Sequence, residues 1–309
     1  MRILFIDTVH PTLKEELEKK GIICDTAYKK NKTEIQQIIH NYHGLIIRSR
    51  FVIDKAFIDS ALNLKFIARA GSGLENIDLI YSKKNNIKCY NAAKGNRIAV
   101  AEHALAMLLS LFNNLKRADT EVRQGEWNRE KNRGIELAGK TVGIIGYGNN
   151  GSSFAKLLKG FGVKILAYDK YLKEYPYKST MENIYKETEI LSLHIPLTEE
   201  TTYLVNEEFI NKFKKEIYLI NTSRGKCVKT KSLVSALKQK KIKGACLDVL
   251  ENEAKSFENL NKKHSTSDIK YLSDLENIIL SPHIAGWTIE SNIKIAEILL
   301  EKITTDFLQ

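Results

Sequence analysis

The chain has 309 residues, 43% of them hydrophobic, and a formal charge of +11 from 48 Lys and Arg against 37 Asp and Glu. That length suits about two domains with large cores, and nothing in the composition points to disorder. The positive charge is spread along the sequence, so a nucleic-acid partner is not expected, and no apolar run is long enough for a signal peptide or a membrane span, so a soluble cytoplasmic protein is.

The first ninety residues alternate strand and helix patterns. Ile3 to Asp7 reads as a strand, and Pro11 to Lys20 as a helix opened by proline and closed by Gly21. Ile22 to Cys24 is again a strand, followed by a helix from Thr33, a strand from Leu45 to Arg48 and a helix near Asp54 to Ala61. A strand from Lys65 to Ala68, a helix near Ile77 to Ser82 and a strand from Ile87 to Tyr90 complete the run. Such alternation predicts an α/β fold with a parallel, doubly wound sheet, whose ligands lie at the carboxyl ends of the strands. Two of those ends carry Arg48-Ser49-Arg50 and Arg69-Ala70-Gly71-Ser72-Gly73. A guanidinium fork there can hold two oxygens of a carboxylate or phosphate, although solvated surface arginines would look the same.

The run from Ile98 to Leu115 is apolar nearly all round and predicts a buried helix that bridges domains or subunits, with His103 as a packing residue. Lys116 to Gly134 is charged and holds Trp127, which suits a projecting arm that anchors a partner chain. The next stretch organises everything after it. Val142 to Ile145 ends in Gly146-Tyr147-Gly148-Asn149-Asn150-Gly151, and Phe154 to Leu158 begins a helix, which is the strand, glycine turn and helix start of a dinucleotide phosphate site. A second strand, Val163 to Tyr168, ends in Asp169, where a carboxylate can accept from a ribose diol and disfavours a 2′-phosphate, so NAD is expected over NADP. Further strands are predicted at Glu189 to Ile195, Ile217 to Asn221, Gly244 to Asp248 and Asn277 to Leu280, with a final amphipathic helix from Ile289 to Ile303. Glu251 to Asp274 reads as polar and irregular. The four cysteines, Cys24, Cys89, Cys227 and Cys246, form no CxxC pair and have no His partner at ligand spacing, so they read as reduced packing residues and no metal is expected.

Three ionisable groups stand at or just past strand ends of the second half: Arg224, Glu253 and His283. An alcohol that gives up a hydride needs a base for its hydroxyl proton, and His has the natural pKa for taking and returning one. A carboxylate would orient the ring, and an Arg would grip a substrate carboxylate and polarise the developing carbonyl.

Together, Gly146 to Gly151, Asn221-Thr222-Ser223-Arg224-Gly225, Asp248-Val249-Leu250-Glu251-Asn252-Glu253 and Ser281-Pro282-His283-Ile284-Ala285-Gly286 resemble the D-isomer-specific 2-hydroxyacid dehydrogenase family through nearly the whole chain. The resemblance implies two Rossmann-like domains with a cleft between them: a substrate domain from residues 1–97 and 287–309, and an NAD-binding domain from 98–286. It implies Arg224, Glu253 and His283 as the catalytic trio. It further implies cofactor contacts from Ser72, Gly146, Gly148, Asn149, Asn150, Gly151, Asp169, Ile195, Thr222, Ser223, Asp248 and Gly286, besides Arg224 and His283. Arg48-Ser49 and Arg69-Ala70-Gly71 resemble the phosphoglycerate dehydrogenase branch, where such residues serve a doubly anionic 2-hydroxy acid with Arg224 and His283. The stretch from His283 to Trp287 also resembles erythronate-4-phosphate dehydrogenase, and unphosphorylated glycerate or glyoxylate is a further alternative, as is an NAD-responsive corepressor without turnover. A homodimer through residues 98–134 is expected, and no C-terminal regulatory domain after Gln309.

Overall fold

The computed structural model describes residues 1–253 and 267–307. They fall into two units, one built from Met1–Arg97 with the C-terminal stretch from Trp287, the other from Ile98–Glu253 with the stretch that ends at Gly286.

In the first unit five short strands, β1 (Arg2–Phe5), β2 (Ile23–Thr26), β3 (Gly44–Ile47), β4 (Phe66–Arg69) and β5 (Lys88–Tyr90), make a wholly parallel sheet in the order β2-β1-β3-β4-β5. The side chains of the inner strands β3 and β4 alternate between two buried faces, which is why they read as apolar runs rather than as hydrophobic-polar repeats, while the edge strands β2 and β5 are partly exposed. Ile3, Phe5, Ile46 and Phe66 pack with Leu13 and Leu17 of α1 (Pro11–Lys19) and with Ala296, Leu299 and Ile303 of the long α12 (Ile289–Phe307). Leu4, Ile6, Leu45, Ile47 and Ile67 pack on the other side with Ile35 of α2 (Lys32–Ile38) and with Phe57 and Ile58 of α3 (Lys55–Ser60). Asn31, Asp54 and Asp78 cap α2, α3 and α4 (Leu79–Lys84) by accepting from backbone N–H groups of the first turn, as short polar side chains do.

The second unit repeats the plan with six parallel strands, β6 (Thr141–Ile145), β7 (Lys164–Tyr168), β8 (Ile190–Leu193), β9 (Ile217–Asn221), β10 (Ile242–Leu247) and β11 (Ile278–Leu280), in the order β11-β10-β9-β8-β6-β7. One face carries α5 (Arg97–Phe112) and α7 (Asn149–Leu158) through Ala104, Met107, Leu108, Phe154 and Leu158. The other carries α8 (Met181–Glu187), α9 (Glu207–Asn211), α10 (Thr230–Lys238) and α11 (Ser267–Asp274). In each sheet the first strand lies between its two successors, so the order in which strands are added reverses beside β1 and beside β6. Those are the switch points where such sheets bind ligands.

Two expectations need correction. The helix read from Ile98 to Leu115 ends at Phe112: Asn114 adopts φ 51°, and α6 (Leu115–Arg123) leaves at 61° to α5, so the predicted arm begins as a helix. The stretch read as irregular from Glu251 to Asp274 includes a helix, α11, while its residues 254–266 lie outside the described residues, as do 308–309. Among the described residues no single helix is long and apolar enough to cross a membrane. Cys24, Cys227 and Cys246 are buried and Cys89 is half-buried, all four as free thiols, and burial pushes each thiol pKa up.

Candidate active site

The switch point of the second sheet carries the glycine turn. Gly146 has φ 91°, and a Cβ there would lie 2.3 Å from the carbonyl oxygen of His194, so a side chain is excluded by both conformation and contact. A Cβ on Gly151 would lie 1.9 Å from Gly146 O, which is how the turn and the first turn of α7 come so close. At Gly148, by contrast, a Cβ would meet nothing within 4 Å: the backbone faces open space. No side chain caps α7, so the leading N–H groups, from Asn149 onward, present an uncompensated positive dipole end there. Two side-chain oxygens of this region, Asn150 Oδ1 and Thr222 Oγ1, are buried with no hydrogen-bond partner. Buried polar groups are rarely left unbonded, so a polar ligand is the natural partner. The residues therefore fit the phosphates of a dinucleotide.

Asp169 ends β7 and is held by three backbone donors: Tyr147 N to Oδ2 at 2.8 Å, and Tyr171 N and Leu172 N to Oδ1 at 2.9 and 3.1 Å. A carboxylate fixed in this way repels a 2′-phosphate. Lys170, the adjacent cation, is paired with Glu200. Ile195 stands past the end of β8, where its Cγ2 would be 3.0 Å from a Cβ on Gly146, so it lines the turn.

The loop after β9 is shaped by Asn221, which is fully buried. Its Oδ1 accepts from Ser223 N and Oγ at 3.1 and 2.7 Å, and its Nδ2 donates to Arg224 O at 3.0 Å. Arg224, partly exposed, also bonds Ser223 O through its guanidinium at 2.7 Å. Gly225 follows because a Cβ there would stand 2.0 Å from Leu250 O, which presses the Arg224 loop onto the segment carrying Glu251 and Glu253.

Asp248 anchors the other reactive loop and is 1% exposed. Its backbone oxygen accepts from His283 N at 2.8 Å, Oδ1 accepts from Ile284 N at 2.9 Å and from Ser281 Oγ at 2.6 Å, and Oδ2 accepts from Ala285 N at 2.9 Å. These bonds hold His283 at φ 57°, an uncommon conformation for a residue with a side chain and one that clusters at functional sites. Its Nδ1 lies 2.7 Å from Glu253 Oε2, while Glu253 Oε1 accepts from Leu250 N. The two side chains are 24% and 13% exposed, so the pair is shielded yet reachable. With Nδ1 committed to the carboxylate, Nε2 is the nitrogen able to exchange a proton with a substrate. Gly286 closes this loop.

In the first unit the carboxylate of Asp7, just past β1, gathers the loop after β3: its Oδ2 accepts from Arg48 N at 2.6 Å, Ser49 N at 3.0 Å and Arg50 N at 3.3 Å. Arg50 is spent structurally on Ile6 O and Ala27 O. Arg69 is 9% exposed and donates Nε to Arg48 O at 2.9 Å. Its guanidinium lies over Gly71, where a Cβ would be 2.1 Å from Nη1, which accounts for the glycine in Arg69-Ala70-Gly71. The Arg48 guanidinium sits 4.6 Å from the ring centroid of Trp287, a cation–π contact. Ser72 Oγ donates to Asn96 Oδ1 at 2.7 Å.

Sequence reasoning missed Asp7, Asn221 and Trp287. Asp7 and Asn221 each end an apolar strand with a short polar residue, a signal that was available. Trp287 stands in the stretch that resembles erythronate-4-phosphate dehydrogenase, but its contact with Arg48 comes only from folding. Among the described residues no three His, Cys, Asp or Glu side chains gather as a metal site.

Residues 105–285 match the family model described as D-isomer specific 2-hydroxyacid dehydrogenase, NAD binding domain. The chain is 36% identical to the hydroxypyruvate reductase of Thermotoga maritima over 94% of its own length and 91% of that protein. It is 31% identical to the D-3-phosphoglycerate dehydrogenase of Archaeoglobus fulgidus over 98% of its length and 56% of that protein. It spans about half the length of the curated phosphoglycerate dehydrogenases it matches. The D-lactate dehydrogenase of Aquifex aeolicus, solved with NAD and lactic acid, superposes with a TM-score of 0.82 at 28% identity, over 99% of this chain and 95% of that one.

Proposed function

Because the chain belongs to the D-isomer specific 2-hydroxyacid dehydrogenase family, and is thereby an NAD-dependent enzyme acting on a CH–OH group, we propose that it interconverts 3-phosphoglycerate and 3-phosphohydroxypyruvate with Arg224, Glu253 and His283 as its catalytic side chains. The observation that carries the substrate is the Arg48 and Arg69 pair, two guanidinium groups tied to one loop by the bond from Arg69 Nε to Arg48 O. A doubly anionic substrate needs cations for two groups, and this pair supplies the phosphate end while Arg224 takes the carboxylate. Ser49, whose N–H is already held by Asp7, supports the same loop.

NAD held at Gly146 to Gly151 would supply the acceptor for the hydride on C2. His283 removes the hydroxyl proton through Nε2, and Glu253 holds the ring by Nδ1 and balances the imidazolium that forms. Arg224 orients the carboxylate and stabilises the carbonyl oxygen as it develops. Gly146, Gly148, Asn149, Asn150 and Gly151 receive the pyrophosphate, Asp169 the ribose, and Ile195, Thr222, Ser223 and Gly286 line the site. Asp248 Oδ2, which accepts one backbone bond, has a lone pair for a carboxamide N–H. Ser72 belongs to the same proposed contact set.

A second reading, reduction of hydroxypyruvate or glyoxylate, is favoured by the near-complete span of the Thermotoga maritima relative. NADH oxidation followed with 3-phosphohydroxypyruvate, hydroxypyruvate and glyoxylate separates the two. Preference for the phosphorylated acid that collapses in Arg48→Ala supports the first, and equal turnover on unphosphorylated acids replaces it with the second. The proposal includes a homodimer through residues 98–134, supported by the exposed Leu115, Val122 and Trp127, the last 77% exposed. Light scattering of Trp127→Glu tests it.

A further inference from the structure

α5 is apolar along its buried face, yet it sends one polar side chain to the end of β11. His103 Nε2 lies 2.8 Å from Ser281 Oγ, and Ser281 Oγ lies 2.6 Å from Asp248 Oδ1. His103 Nε2 itself is 3.6 Å from that oxygen, so the serine is the intermediary. A carboxylate only accepts, so the serine proton points at Asp248, and the serine oxygen then accepts from an Nε2–H of His103. This assigns the tautomer through the network.

The relay has a competitor. Met107, one turn along α5, places its sulfur 3.6 Å from Ser281 Oγ. Without a donor on its other side the hydroxyl is free to turn between the thioether and Asp248. Asp248 is 1% exposed, so water has little access to make good the loss at Oδ1. That same carboxylate holds Ile284 N and Ala285 N, and its main chain holds His283 N, the residue at φ 57°.

We propose that His103 is a positioning residue for hydride transfer: acting through Ser281 and Asp248, it fixes the loop that presents His283. This rests on the reading of His283 as the proton-transfer group. It replaces the expectation that His103 only packs.

The test uses the full chain with the 2-keto acid that the wild type reduces fastest. His103→Leu keeps bulk and removes the donor, His103→Gln keeps an N–H, and Ser281→Ala removes the intermediary. A loop displaced by a fraction of an ångström costs turnover rather than cofactor affinity, so kcat in His103→Leu should fall roughly tenfold with the KM for NADH within about twofold. His103→Gln should recover most of it, and the Leu/Ala double variant should be no worse than either single change, because both break one relay. The ¹⁵N resonances of the His283 ring, recorded without substrate, should shift in His103→Leu and return in His103→Gln. Wild-type kcat in His103→Leu, or losses that multiply in the double variant, overturns the proposal. Should His103→Leu fail to fold, His103→Gln against Ser281→Ala carries the same comparison. Full turnover in His283→Ala sinks the base assignment instead, while the ring resonances still report on the relay.

Discussion

Acid should destabilise the second unit through a histidine that takes no part in the chemistry. His194 ends β8 beneath the glycine turn, its ring 5.4 Å from that of Phe154 and its Nε2 2.9 Å from Ser192 Oγ. Nδ1 is closed to solvent and has no partner, and burial pushes the imidazole pKa down from 6.5 to about 4. In the unfolded chain the ring protonates near pH 6.5, whereas in the folded unit it stays neutral until about pH 4. Between those values the unfolded state binds a proton that the folded state refuses, so stability is full above pH 6.5 and falls as pH falls through the window. The loss is about 2 kcal/mol at pH 5 and tends to about 3 kcal/mol below pH 4, as upper limits because part of the residue touches solvent. Urea denaturation at pH 7.5, 6.5, 5.5 and 5.0 measures it. Trp287→Phe as background leaves Trp127 to report the second unit alone, which matters because two units need not unfold together. His194→Leu should lose about 2 kcal/mol less than its parent between pH 7.5 and 5. Parallel curves for the two proteins would refute the assignment of that pH dependence to His194.

Other consequences are as direct. His283→Ala should lower kcat by roughly 10² to 10⁴ and leave NADH affinity, measured by fluorescence titration, nearly unchanged; Glu253→Gln should lower kcat less, since the ring keeps a partner. Gly151→Ala should abolish NADH binding or folding, because its Cβ would meet Gly146 O at 1.9 Å and backbone on both sides has to move. Asp169→Ser should raise kcat/KM with NADPH relative to NADH by at least tenfold, through loss of the carboxylate that faces a 2′-phosphate; an unchanged ratio rejects its placement at the ribose. Trp287→Ala should raise the KM for a phosphorylated keto acid while sparing that for glyoxylate, because the cation–π contact that places the Arg48 guanidinium is lost.

Much of this was legible along the chain. Apolar runs such as Val142 to Ile145, the Pro11 and Gly21 that bound the first helix, and the spacing of Gly146, Gly148 and Gly151 are local signals, each set by a few neighbouring residues and backbone sterics. From them follow the parallel α/β class and the nucleotide turn, while Arg224, Glu253 and His283 stand out through their places at or just past strand ends and through the family resemblance of the motifs that hold them. Tertiary structure alone decided which distant groups meet. Glu253 and His283 are 30 residues apart in sequence and 2.7 Å apart in space, and Asp7 reaches Arg48 across 41 residues. The apolar helix neighbours of His103 predict packing, and only the arrival of Ser281 from the end of β11 gives it a polar partner. The break at Asn114 and the left-handed backbone of His283 were likewise invisible, since both residue types ordinarily take other conformations. Local propensity is summed over nearest neighbours, whereas these features come from hydrogen bonds and steric limits imposed by strands that the chain brings together from far apart.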